Sequence, residues 1–76
     1  MHTMLIVLIN KRYTVTGTMT MGDKVIAIDS IMLGYTPDEA CADAAWYAGQ
    51  KELRHTGIFL TEQMYTYDLT ATEIKP

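Results

Sequence analysis

Residues 14–22, TVTGTMTMG, alternate without a break: Thr14, Thr16, Thr18 and Thr20 against Val15, Gly17, Met19 and Met21. A side-chain period of two belongs to a strand, where successive residues point to opposite faces of a sheet. The stretch predicts a strand over Tyr13–Met21, with hydroxyls on one face and an apolar row on the other. The threonine face is then the one turned away from the core.

The rest of the chain arranges itself around that strand. Met4 to Ile9 is a continuous apolar run, short enough for a strand covered on both faces. Asn10, Lys11 and Arg12 interrupt it as a turn. Gly22-Asp23 marks a tight turn after the threonine strand. Lys24 to Leu33 reads as a third strand, with Ile26, Ile28 and Met32 on one face and Val25, Ala27, Ile31 and Leu33 on the other. Connections this short predict an antiparallel meander.

At Thr36 the period changes. Thr36, Pro37, Asp38 and Glu39 have the Thr-x-x-Glu spacing of a capping box, with proline at the first helical position. Acids in the first turn suit the positive end of the helix dipole, and Arg54 and His55 suit the other end. A helix is predicted from about Pro37 to about Arg54. Cys41, Ala42, Ala45, Ala48, Gly49 and Leu53 share its apolar arc, small enough to let the axis sit close to a sheet. Gly49 could instead end the helix, but Leu53 returns to the same arc and favours continuation.

After Gly57 the period is two again. Ile58–Leu60 and Met64–Leu69 form either a hairpin around Thr61-Glu62-Gln63 or one irregular strand, followed by a polar tail from Thr70. The whole reads as one α+β domain over residues 1–76, in the order βββαβ(β). An antiparallel sheet of four to five strands carries one helix on one face.

Size and charge narrow the function classes. A chain of 76 residues is one domain and buries only about 60–65% of its unfolded surface. The single cysteine forms no internal disulfide, which favours a reducing compartment, and MLIVLI is too short to span a membrane. A cytoplasmic location is expected. Net charge is −3, and the bases are scattered, so duplex nucleic acid is a poor match and a basic protein surface a better one.

Chemistry at the level of single residues is sparse. Cys41 would need a base to act as a nucleophile; His55 stands at the far end of the same helix, about 20 Å away at 1.5 Å per residue. Cys41 is read as core. His2, Cys41 and His55 match no zinc spacing. Asp38, Glu39 and Asp43 could be imagined around magnesium, but capping and solvating a helix accounts for all three. Asp29, mid-strand, is the best candidate for a buried acid, and hydrogen bonding would explain it without catalysis. No enzyme activity and no cofactor are expected.

Surfaces remain. The ladder of Thr14, Thr16, Thr18 and Thr20 is either a solvated face, a flat docking surface, or an edge strand open to a partner's sheet or a second copy. A bulge at Gly17 would be the edge's one protection. Tyr13, Tyr35, Tyr47, Tyr65, Tyr67 and Trp46 add amphipathic rings of the kind enriched in binding hot spots. In size, acidity and layout, with TPDEACADAAWYAGQKEL after three strands as its most specific stretch, the chain resembles the small accessory proteins with which phages block host machinery, anti-CRISPR proteins among them. That resemblance implies a non-catalytic inhibitor that binds a basic protein, such as part of a nucleic-acid-binding complex. On it, Asp38, Glu39 and Asp43 would imitate phosphates. Two alternatives stay open. One is a single-strand nucleic-acid or small-ligand module presenting Tyr13, Tyr65 and Tyr67, with Lys11 and Arg12 at its rim. The other is a protein that dimerises through the threonine edge.

Overall fold

The computed structural model describes residues 10–54, 57 and 64–75. Strand β1 spans Lys11–Met21, β2 Lys24–Gly34, helix α1 Pro37–Leu53 and β3 Thr66–Glu73. The sheet is antiparallel in the order β2-β1-β3, with α1 across one face. It is an α+β fold with three described strands rather than the expected four to five. The strands expected at Met4–Ile9 and Ile58–Leu60 lie outside the described residues, as does the Thr61–Gln63 turn.

β1 and β2 form the expected hairpin. Met21 pairs with Lys24 across Gly22 and Asp23, giving a two-residue loop. Gly22 has φ 61° and Asp23 has no positive φ, so glycine occupies the first central position, where a type II′ turn requires it. The turn expected at Asn10–Arg12 is not there for Lys11 and Arg12, which open β1. Lys11 pairs with Gly34 and forms a 3.5 Å ion pair with Glu73, and the Arg12 carbonyl accepts a 2.7 Å hydrogen bond from Ile74 N.

The meander gives way to a different order because β3 returns from the C-terminus to the open side of β1. Tyr13 pairs with Glu73 and Thr20 with Thr66, which makes the threonine strand central. An edge reading of that strand is therefore wrong: its backbone is engaged on both sides. Nor is Gly17 a bulge. The register runs residue for residue through it, with Ile28 on one side and Leu69 on the other. Gly17 has φ 139°, and a Cβ there would stand 2.2 Å from the Asp68 carbonyl oxygen and 3.1 Å from Leu69 Cδ2. Leu69 leans into the space that any side chain at 17 would need.

The helix starts as its sequence predicts. Thr36 is extended and its Oγ1 accepts from Glu39 N at 3.1 Å, satisfying one of the first-turn donors. Gly49 is helical and buried, and the helix continues past it. Its inward arc is Ala40, Cys41, Ala44, Ala45 and Gly49, turned toward Ala40 and Ala44 rather than Ala42. These small side chains close over Tyr13, Val15, Met19 and Ile28, and that cluster is the core. Gly34 lies against Ala40 at one end, and the Lys24 ammonium pairs with the Glu52 carboxylate at the other. The helix thus runs back along β2.

Candidate functional site: the uncovered face of the sheet

β1 divides its side chains as the alternation requires. Val15 and Met19 have no solvent exposure, while Thr16 and Thr18 are open to it and Thr14 and Thr20 half so. The pairing then extends the threonine row sideways. Thr72 stands opposite Thr14, Thr70 opposite Thr16, Asp68 opposite Thr18 and Thr66 opposite Thr20. Two adjacent strands therefore carry a field of hydroxyls on the face away from the helix. Threonine suits this place because its branched Cβ favours a strand while its hydroxyl tolerates water.

β2 contributes something different to the same face. Opposite Thr20, Thr18, Thr16, Thr14 and Arg12 lie Val25, Ala27, Asp29, Ile31 and Leu33. Val25 is 64% exposed, Ile31 59% and Leu33 59%. Single exposed apolar residues are ordinary, but Ile31 and Leu33 are neighbours on this face, with Val25 on the same row beyond Ala27 and Asp29. Asp29, considered above as a buried acid, is exposed on this face. With Asp68 it brackets the Thr16–Thr18 centre, and Arg12 stands at one end. The face combines these apolar side chains, a hydroxyl field and two carboxylates.

The expected partner-binding residues do not form one surface. Thr14, Thr16, Thr18 and Thr20 are on the uncovered face. Asp38, Glu39, Asp43 and Tyr47 are on the helix, across the molecule from it. Tyr47 is exposed and meets Trp46 edge to face at 5.1 Å. Tyr65 and Tyr67 stack at 6.3 Å, and Tyr67 pairs with Met19, which turns it to the helix side of the sheet. Tyr13 is 2% exposed, so the three-tyrosine platform does not exist. The row of aromatics was legible in the sequence; the depth of each ring was not.

Val25, Ile31, Leu33, Thr66, Thr70 and Thr72 were not among the expected contact residues. The apolar residues of β2 looked like those of a strand covered on both sides. The alternation of Thr70 and Thr72 was a signal that the polar tail is a strand.

Cys41 is buried, and its Sγ lies 3.7 Å from the Leu69 carbonyl in donor geometry. Burial pushes the thiol above its ordinary range and the Asp38 carboxylate adds to the shift. Both effects suppress the thiolate, the opposite of what a nucleophile requires. Among the described residues no group of His, Cys, Asp and Glu could hold a metal ion, and no described helix is long and apolar enough to cross a membrane. Comparison with family models, with curated proteins and with solved structures finds no match to this chain.

Proposed function

We propose that this is a non-catalytic binding protein that occupies a partner protein through the uncovered sheet face. The observation that carries the reading is the coexistence, on that face, of exposed Val25, Ile31 and Leu33 with the threonine field. Burying them supplies affinity, since each large apolar side chain contributes about 1.5–3 kcal/mol when fully desolvated. The hydroxyls accept and donate hydrogen bonds without the desolvation cost of charges. Asp29 and Asp68, with the overall charge of −3, select a partner that is basic where it meets the centre of the face.

A blocker needs no more than this. Small size and acidity suit an accessory inhibitor of the kind phages direct against host defence, anti-CRISPR proteins included. The target would be a protein with a basic surface, such as a nucleic-acid-binding complex. Capture by the tagged protein from a lysate of its natural host, in low and then high salt, tests this. One protein retained in stoichiometric amount, and weakened by salt, is the expected result. Failure to retain any protein at either salt contradicts it.

A further inference from the structure

Beyond that reading, we infer that the outer edge of β2 is a self-association surface, joining two copies across a two-fold axis into one continuous sheet. No described strand lies beyond β2. Its edge is 11 residues long, unbroken in register, without proline, and carries lysine only at its first position. Natural edges of that length are normally shortened, bulged or charged, because an open row of backbone groups recruits another strand. β3, the opposite edge, is shorter and bears Asp68 and Glu73. Among the described residues β2 is the longer open edge, with Lys24 and Asp29 as its only charges.

The flank of α1 tells what fits there. Between the helix and β2 lies a groove of about 320 Å³, lined by Ile26, Ile28, Met32, Ala44, Ala48 and Tyr47 among others. Asp43, Tyr47 and Lys51 follow one another at four-residue spacing, so they form a row along the helix surface. Tyr47 and Lys51 reach the groove, and neither Asp43 nor Lys51 has an ion-pair partner among the described residues. A two-fold axis through the sheet reverses this row against its copy. Asp43 then faces the second copy's Lys51, Lys51 faces its Asp43, and the two Tyr47 rings meet in the groove. The pattern is self-complementary, as an isologous interface demands.

Charge also excludes one register. Pairing centred on Asp29 would set two carboxylates directly opposite, which is destabilising. Moving the centre to Ile28 pairs Val25 with the copy's Ile31 and Asp29 with its Ala27. The threonine fields of both copies then stay on one uncovered face, so dimerisation and partner binding use different surfaces.

Sedimentation velocity over a range of protein concentrations tests the inference. The expected mass is twice the 8.6 kDa of the chain, falling to one chain on dilution. Lys51→Glu sets glutamate against Asp43 and should weaken association at least tenfold. The paired exchange Asp43→Lys with Lys51→Glu should restore it, since the reversed charges again face each other. A chain that is monomeric at every concentration overturns the proposal. So does a dimer indifferent to Lys51→Glu, or one the paired exchange fails to restore. All variants change surface side chains, and none touches the face assigned to the partner.

Discussion

The two faces of β2 are nearly equal in composition and opposite in fate. Ile26, Ile28 and Met32 look toward the helix and are buried or half-buried; Val25, Ile31 and Leu33 look away from it and are each more than half exposed. The strand's own pattern does not decide between them. What decides is β1, whose Val15 and Met19 draw the helix to one side while its threonines accept water on the other. A strand apolar on both faces beside one apolar on a single face leaves a row uncovered. Those side chains are left open to solvent.

The largest effect should come where the sheet tolerates least. Gly17→Val puts a branched side chain onto the Asp68 carbonyl and into the place of Leu69, at a φ that such residues rarely adopt. It should cost about 3 kcal/mol or more, and in a domain this small should leave most of the chain unfolded, as circular dichroism and urea titration would read. Next comes the direct contrast of the faces. Met19→Ala removes a fully buried side chain and should cost about 2–5 kcal/mol in urea unfolding, whereas Leu33→Ala on the other face should stay within about 0.5 kcal/mol. Equal losses would mean that the outer face is covered in the folded chain.

A smaller effect belongs to the helix that makes the faces unequal. Thr36→Ala leaves Glu39 N without its acceptor and should cost about 1 kcal/mol. Smaller again is the pH effect of Cys41. Its thiol titrates higher folded than unfolded, so the folded chain holds its proton longer. The stabilisation is complete below the ordinary thiol value of 9.0 and is lost as pH rises through the folded value. Melting temperature should therefore decline less steeply above that pH in Cys41→Ala than in the native chain. Identical slopes would contradict the shift.

These expectations show which parts of the fold local sequence carries. Thr36-Pro37-Asp38-Glu39 announces the helix start because capping is settled within four residues. Gly22-Asp23 announces the hairpin for the same reason. The partner of β1 on its other side could not be read, because Tyr13–Glu73 pairing joins residues at nearly opposite ends of the chain. With it went the widening of the threonine row by Thr66, Thr70 and Thr72, and the removal of the edge. The inward arc of α1 was blurred by its own alanines: where Ala40, Ala42, Ala44, Ala45 and Ala48 all compete, hydrophobicity gives little contrast. Tyr13 illustrates the same limit for sites. A tyrosine at the start of a strand is equally suited to a surface or a roofed core, and only the helix above it decides.

The central claim is that the uncovered sheet face, and not the acidic start of the helix, holds the partner. The most direct test measures, by calorimetry, the affinity of the captured protein for two charge-reversed variants. Asp29→Lys with Asp68→Lys should lose at least a hundredfold, while Asp38→Lys with Glu39→Lys should bind nearly as the native chain does. The reverse order would place the site on the helix and contradict the account.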